Sequence, residues 1–249
     1  MPAAIEVKSV SVRYQQKVVL DNATATVPKG SICGLVGMNG AGKSTLFKAI
    51  MNVVPIISGS VRLDGHTVKT AQKRGIVAYV PQTEVVDWNF PVSVRDVVMM
   101  GRYGFMGLLR RPNAEDCALV DDAIERVQLT DFADRQVGQL SGGQRKRVFV
   151  ARALAQGASI LLLDEPFAGV DAKTEASLVE LLKELQSQGI TILIAAHDLA
   201  TIGTYCDHII LLKGTVIASG STKKVFTQKN IAKTYDSVFG GKGALPWMQ

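Results

Sequence analysis

Some parts of this 249-residue chain are unbroken apolar runs, and in others apolar and polar residues alternate. This difference predicts where its strands lie. Apolar runs without alternation at 32–36, 160–163 and 190–195 are typical of strands buried on both faces of a parallel sheet. Residues 4–27 instead contain short alternating segments. These predict an antiparallel β element with a turn at Asp21-Asn22.

Helical periodicity takes over between 83 and 140 and returns between 172 and 188. In the first segment apolar residues recur at helical spacing from Cys117 to Val127, and in the second Gly189 closes the pattern. Strands that alternate with helices predict an α/β fold with a mainly parallel sheet.

The order of these elements predicts a single domain over residues 4–240. Its core, with the antiparallel β subdomain at the N-terminal end, is expected to span 4–82 and 141–220. A helical subdomain at 83–140 is inserted into that core, and 221–249 form a C-terminal tail.

A glycine-rich segment, Gly37–Ser44, follows the first buried strand and precedes a predicted helix. It fits G-x-x-x-x-G-K-[ST], the phosphate-binding loop, in the strand–loop–helix context that the motif requires. Its glycines let backbone N–H groups approach phosphate oxygens, and the helix N-terminus adds its positive dipole end. Lys43 can reach the β- and γ-phosphates, and the Ser44 hydroxyl can ligate Mg²⁺. The alternative is a glycine-rich turn with a chance Lys-Ser pair, which spacing and context disfavour.

Two acids, Asp164 and Glu165, end the apolar run at 160–163, at the edge where a parallel sheet places its ligands. We expect Asp164 near Mg²⁺, through water, and Glu165 as the general base that polarises the attacking water. The alternative for two adjacent acids is an ordinary exposed loop, and their position behind a buried strand disfavours it.

A second anion site is predicted at Leu140-Ser141-Gly142-Gly143-Gln144, before a helical stretch. Ser141 is a good N-cap, and the two glycines free the backbone at the helix start. The chain thus has two phosphate-binding helix starts but one P-loop lysine, Lys43. A dimer in which each chain's Ser-Gly-Gly loop closes on the other chain's nucleotide resolves this mismatch. The alternative for this segment taken alone is a capped turn, which the presence of the other two motifs disfavours.

With these motifs in this order, the chain resembles the ATP-binding subunits of ABC transporters over nearly its whole length. Gly37–Ser44 resembles the Walker A loop, Leu140–Gln144 the ABC signature, and Ile160–Glu165 the Walker B strand with its catalytic glutamate. The resemblance implies a P-loop NTPase core that binds ATP and Mg²⁺. It adds an A-loop aromatic, a Q-loop glutamine, a D-loop aspartate and a switch histidine, which are Tyr14, Gln82, Asp171 and His197.

The resemblance also implies a role for each of these residues. Those expected to be catalytic are Lys43, Gln82, Glu165 and His197, and those expected to hold Mg²⁺ are Ser44, Gln82 and Asp164. The signature is expected to bind the partner chain's nucleotide through Leu140, Ser141, Gly142, Gly143 and Gln144. The residues expected to contact ATP are Tyr14, Gly37, Met38, Asn39, Gly40, Ala41, Gly42, Lys43, Ser44 and Thr45.

Segments at 86–104, 132–136 and 165–171 resemble the manganese/zinc and chelated-iron uptake branch of that family. This implies an ATPase that drives import of a divalent metal ion, manganese or zinc, through two integral membrane permease subunits. An extracytoplasmic metal-binding protein is implied as an indirect partner. The alternatives are an importer of another cargo, such as an iron chelate, and a non-transport ABC ATPase.

The segment from Gln82 to Tyr103 is expected to carry the groove that receives the permease, because it offers apolar residues without a role in nucleotide chemistry. These apolar residues are Trp88, Phe90 and Met99. Trp88 and Phe90 are the candidate anchors, and the alternative for them is packing in the core. A nucleotide-binding regulator without turnover is disfavoured, since Glu165 and His197 are both present.

The composition restricts the binding partners and the cell compartment that we expect for this protein. The net charge of +6 is spread along the chain, so we expect no nucleic-acid partner. The basic cluster Arg145–Arg147 predicts either a solvated face or support for the nucleotide or dimer interface. Three widely spaced cysteines suit reduced thiols in a cytosol. No apolar stretch approaches the ~20 residues that cross a bilayer, so we expect a cytoplasmic protein, peripheral on the inner face of the membrane.

Overall fold

Two sheets and the helices around them make up the residues that the computed structural model describes, 2–82, 90–107, 109–196 and 199–235. The strands are β1 Ala3–Tyr14, β2 Lys17–Pro28, β3 Ile32–Val36, β4 Ser58–Leu63, β5 His66–Thr67, β6 Val77–Val80, β7 Ile160–Asp164, β8 Thr191–Ala196, β9 His208–Lys213 and β10 Thr215–Ser221. The helices are α1 Lys43–Ile50, α2 Val68–Lys73, α3 Val94–Met99, α4 Ala114–Arg126, α5 Gly142–Ala155, α6 Ala172–Ser187, α7 Leu199–Tyr205, α8 Thr222–Val225 and α9 Gln228–Thr234.

The apolar runs form the centre of a six-stranded sheet with the order β10-β9-β3-β8-β7-β6. All neighbouring strands in it are parallel except β9 and β10. A second sheet, β2-β1-β4-β5, is antiparallel. The predicted fold class is therefore confirmed: a mainly parallel sheet, an N-terminal antiparallel sheet and additional helices.

The predicted turn at Asp21-Asn22 is wrong, because β2 runs through both residues and the chain turns earlier, between β1 and β2. Asn22 has a positive φ of 45°, and the register with β1 shifts nearby, between the pairs Val10–Ala23 and Val12–Leu20. A β-bulge thus accommodates residues whose composition favours a turn.

The core has two layers, one on each face of the parallel sheet. Within β3, Ile32 and Val36 contribute to the layer beneath the helices α3 to α7. Cys33 and Leu35 point to the other face and contribute to the layer shared with α1 and the antiparallel sheet. This arrangement explains why the run shows no alternation: both faces of the strand are buried.

Helices α3, α4 and α5 pack together beside the parallel sheet. In α4 the apolar series includes one exception: Cys117 is exposed, and Asp116 is buried instead. Asp116 accepts a hydrogen bond from Arg102 Nε at 2.9 Å, so the buried charge is paired.

The other two cysteines, Cys33 and Cys206, are buried in the core. None of the helices in the described ranges combines the length with the apolar character that crossing a bilayer requires.

Candidate nucleotide-binding site

The glycine-rich loop connects β3 to α1 and offers backbone N–H groups to an anion. Gly42, just before α1, has a φ of 101°, and a Cβ there would lie 2.8 Å from Leu20 Cδ2. Only glycine fits such a position. Among the described residues, no side chain caps α1, so the N–H groups of its first turn are open to a ligand.

Lys43 begins α1, and its side chain folds back over the loop. Its Nζ donates to the carbonyl oxygens of Gly37, at 2.8 Å, and of Met38, at 3.3 Å. Burial lowers the pKa of Lys43, and the carboxylates of Glu165 and Asp164 partly oppose that shift. The ammonium group is therefore held on neutral carbonyls close to two acids, a position from which it can turn to a phosphate.

Asp164 is the last residue of β7 and is buried. The Tyr79 hydroxyl, on neighbouring β6, donates to Asp164 Oδ2 at 3.1 Å. A buried carboxylate that accepts a hydrogen bond has a fixed orientation, which a metal ligand needs.

Glu165 follows in a left-handed conformation, with a φ of 48°, directly before Pro166. This conformation costs a non-glycine residue about 1–2 kcal/mol, so surrounding contacts must hold it. The Glu165 N–H donates to the Ala195 carbonyl at 2.9 Å, and its own carbonyl accepts the Ala168 N–H at 3.1 Å. The side chain is held as well: Gln82 Nε2 donates to Glu165 Oε2 at 2.7 Å.

The glycine-rich loop, Gln82 and Glu165 border a cavity of about 420 Å³, which lies within the range of small-ligand sites. Its lining consists of Val19, Asn39, Gly40, Gly42, Lys43, Ser44, Thr45, Gln82 and Glu165. The cavity thus places a flexible cation, a helix N-terminus and a carboxylate around one space, which suits a nucleotide phosphate chain and an attacking water.

The Ser-Gly-Gly loop begins α5, and Ser141 caps that helix. Ser141 Oγ accepts the Gln144 N–H at 3.2 Å, while Gln144 Oε1 accepts the Ser141 N–H at 2.9 Å. Asp171 caps α6 in a similar way, and its hydrogen bonds from the side chain and backbone of Thr174 lower the pKa of Asp171. The two helix starts are adjacent, because a Cβ on Gly143 would lie 2.3 Å from Thr174 Cγ2.

The basic cluster Arg145–Arg147 is not a solvated face. Arg145 Nη2 donates to the Gly138 carbonyl at 2.6 Å. Arg147 donates to the Val127 carbonyl at 2.9 Å and to Ser177 Oγ at 2.6 Å. The prediction of a solvated face is therefore wrong, since these cations bind neighbouring backbone and side-chain oxygens.

The family model described as ABC transporter matches residues 20–168, more than half of the chain. The chain belongs to the ABC transporter family. It is accordingly an ATP-binding domain and an ATPase.

Relatives of this ABC domain are named for metal transport. It is 56% identical over 232 residues to the manganese transport system ATP-binding protein MntA of Synechocystis sp., covering 93% of this chain and 89% of that one. The chelated iron transport system membrane protein YfeB of Yersinia pestis is 52% identical (93% and 79% covered). The zinc transport system ATP-binding protein TroB of Treponema pallidum is 47% identical (93% and 86% covered).

A solved structure has the same fold. An ATP-binding cassette of an ABC transporter in its ADP conformation superimposes with a TM-score of 0.84 at 25% identity, covering 94% of this chain and 98% of that one.

The structure brings the P-loop of this ABC domain together with Gln82 and Glu165, and it places Asp164 beside Tyr79. Tyr14, at the end of β1, is 42% exposed and lies outside the cavity lining. The loop residues Gly37, Met38 and Ala41, and all five signature residues, also lie outside that lining. His197 lies outside the described residues.

Sequence reasoning missed Val19 and Tyr79. Val19 lines the cavity from β2, and Tyr79 orders Asp164 from β6. Neither belongs to a motif, because an apolar or aromatic residue in a strand is typical of any sheet. Only the pairing of these strands with the site reveals them.

Proposed function

We propose that this chain is the ATP-hydrolysing subunit of an importer for a divalent metal ion, manganese or zinc, and that it lies peripherally on the cytoplasmic face of a membrane. The observation that carries the ATPase mechanism is the cavity where Lys43, Gln82 and Glu165 meet. The cargo is supported by relatives named for manganese and zinc transport, each aligned over 93% of this chain. The relative named for chelated iron transport supports an iron chelate as the second candidate.

In the proposed mechanism, Lys43 leaves the carbonyls of Gly37 and Met38 and binds the β- and γ-phosphates. Glu165 accepts a proton from the attacking water, and Gln82, already hydrogen-bonded to it, orients that water. His197 is proposed to contact the γ-phosphate.

Mg²⁺ fits the residues proposed for it. Ser44, Gln82 and Asp164 offer hydroxyl, amide and carboxylate oxygens, the hard ligands that Mg²⁺ prefers. When bound, the ion neutralises charge on the phosphates.

We also propose that two copies close around two ATP molecules. The signature residues do not line the chain's own cavity, and apart from its chain neighbours and neighbouring backbone of α5 no described heavy atom lies within 4 Å of a Cβ built on Gly142. The loop is therefore free to approach a phosphate that belongs to a second chain. In this proposal ATP shifts the population from open to closed dimers, and hydrolysis reverses that shift.

The proposed docking site for a permease helix is a groove of about 660 Å³ between β6, α5 and the turn after α3. Its lining includes Met51, Gln72, Lys73, Tyr79, Met100, Gly104, Phe105 and Arg152. Of the two anchors expected from the sequence, Phe90 is 61% exposed and lies outside this lining, and Trp88 lies outside the described residues. We propose Met100 and Phe105 as the apolar anchors. The domain proposed for this chain spans residues 4–240, with a helical subdomain at 83–140 inserted into its core.

The variant Glu165→Gln tests the ATPase mechanism. We expect it to bind ATP but to turn over at least ~10²-fold more slowly, because it lacks the general base. It should also accumulate as an ATP-dependent dimer in size-exclusion chromatography. Lys43→Ala is the matched control, since it should lose binding and therefore both effects. A Glu165→Gln protein that stays monomeric with ATP and hydrolyses it normally would contradict the proposal.

The cargo is tested separately by uptake of labelled manganese, zinc and iron chelate. The assay compares cells carrying the complete transporter with cells in which this chain is replaced by the Glu165→Gln variant. Manganese or zinc uptake that depends on Glu165 is the expected result. Uptake of the iron chelate alone would show that the cargo is the iron chelate and not manganese or zinc.

A further inference from the structure

Lys146, the middle residue of the basic cluster, spans from the signature helix to the loop that carries Glu165. It lies in the second turn of α5, and its Nζ donates to the main-chain carbonyls of Pro166, at 2.5 Å, and Ala168, at 2.7 Å. Burial lowers the pKa of Lys146, and the Glu165 carboxylate partly opposes that shift. Hydrogen bonds from a charged donor are about twice as strong as neutral ones.

The loop that Lys146 holds, 165–171, contains Glu165, whose left-handed backbone conformation is energetically unfavourable. Glu165 has a φ of 48° immediately before a proline, where steric restriction already favours extended backbone. Because Pro166 and Ala168 follow Glu165 directly in this loop, holding their carbonyls restricts movement of the main chain from which the Glu165 side chain projects. The same loop ends at Asp171, which caps α6.

The loop and α5 border a cavity and are not in continuous contact. A cavity of about 210 Å³ lies between them, lined in part by Gly142, Lys146, Phe149, Pro166 and Phe167. The two hydrogen bonds of Lys146 therefore bridge the loop and α5 beside this open cavity.

We propose that Lys146 is a positioning residue that couples the two nucleotide sites of the dimer. This rests on the proposed function, in which the signature at the start of α5 serves the partner's ATP while Glu165 serves the chain's own. When the partner's nucleotide moves Ser141 and α5, Lys146 moves the carbonyls of Pro166 and Ala168, and with them Glu165. A conformational change at one nucleotide site is thereby transmitted to the other nucleotide site.

The test compares Lys146→Met, which keeps the length of the side chain but removes its donors, with Lys146→Arg, which keeps them. Lys183→Met, an exposed lysine on α6, is the matched control. The ATP dependence of hydrolysis is measured for the dimeric protein, ATP binding is measured at concentrations where the protein is monomeric, and thermal melting checks folding. For two coupled sites the wild-type Hill coefficient should lie above 1, up to about 2.

We expect Lys146→Met to lower kcat by roughly tenfold, about 1.4 kcal/mol in the barrier, and to bring the Hill coefficient to about 1. ATP binding by the monomer should stay as in the wild type. Lys146→Arg should restore most of both losses, and Lys183→Met should behave as the wild type. If Lys146→Met melts below the assay temperature, Lys146→Leu, which also lacks donors, replaces it, with the same loss of cooperativity expected.

Two outcomes separate failure of this inference from failure of the shared-site model. A cooperative wild type together with a cooperative, fully active Lys146→Met variant overturns the role of Lys146 alone. A wild type that hydrolyses ATP without cooperativity, and whose Glu165→Gln variant stays monomeric, overturns the shared site itself and with it this inference.

Discussion

The hydroxyl group of Tyr79 holds one of the proposed magnesium ligands, Asp164. It donates to Asp164 Oδ2 at 3.1 Å, while the ring packs edge-on against Phe47 of α1, with centroids 6.0 Å apart. The same ring lines the groove proposed for the permease. One side chain thus contacts the strand that ends in Asp164, the helix that begins with Lys43, and the docking surface.

Replacing Tyr79 with phenylalanine removes only the hydroxyl and keeps the ring against Phe47. Since the partner of a metal ligand typically contributes 10- to 100-fold in metal affinity, the Mg²⁺ concentration for half-maximal ATPase should rise about tenfold. The rate at saturating Mg²⁺ should stay close to that of the wild type. A titration of ATPase activity against Mg²⁺ measures both. Tyr103→Phe is the control, and an unchanged Mg²⁺ requirement in Tyr79→Phe would remove the hydroxyl from the metal site.

Among the elements, α4 shows how a charged residue can replace an apolar one in a helix interface. Asp116 caps the helix together with Asn113, and it also pairs with Arg102, which donates to the Ala155 carbonyl of α5 at 3.2 Å. One carboxylate therefore links the start of α4, the turn after α3 and the end of α5. Helical periodicity alone favours Cys117 for the buried face. It depends only on the polarity of each residue and does not include an ion-pair partner such as Arg102.

Stability should reflect this pairing in a pH-dependent way. Hydrogen bonds from the Asn113 backbone, and then from Arg102, lower the pKa of Asp116. A carboxylate with a lowered pKa stabilises the fold above its unfolded-state pKa, about 3.9, and loses that contribution as the pH falls through the folded-state value.

Asp116→Asn should therefore lower the urea midpoint at pH 7, and its deficit relative to the wild type should shrink below about pH 4. Asp122→Asn, on the exposed side of the same helix, is the control and should have little effect. Equal midpoints for Asp116→Asn and wild type at pH 7 would show that the ion pair contributes nothing to stability.

At the scale of the whole molecule, the sequence predicts what is local and misses what depends on tertiary contact. The runs at 32–36, 160–163 and 190–195 fall within one residue of β3, β7 and β8, because long unbroken apolar runs fit few structures other than doubly buried strands. The P-loop and the acids at the end of β7 were predictable for a related reason, since each motif is contiguous. The hydrogen bonds of Lys146 and Tyr79 join residues 20 to 85 positions apart, and no periodicity encodes such pairs.

The docking groove is testable in the assembled transporter. Met100→Glu places a charge on the proposed apolar wall, so it should strongly reduce metal uptake by cells while ATPase of the isolated subunit stays within about twofold of wild type, because burying an unpaired charge at an interface costs several kcal/mol. Leu109→Glu, at an exposed apolar residue outside the groove, is the control. Loss of isolated-subunit activity in Met100→Glu would indicate misfolding and return Met100 to a structural role.

The distribution of the three cysteines makes the protein convenient for spectroscopy. Burial raises the pKa of the Cys33 and Cys206 thiols, whereas Cys117 is exposed on α4. Because thiolate and access together govern alkylation, a maleimide dye reaches one sulfur per folded chain without any mutation. That sulfur lies on the helix that packs against α5, so a fluorophore attached there reports directly on movement of the signature helix during each cycle of ATP binding and release.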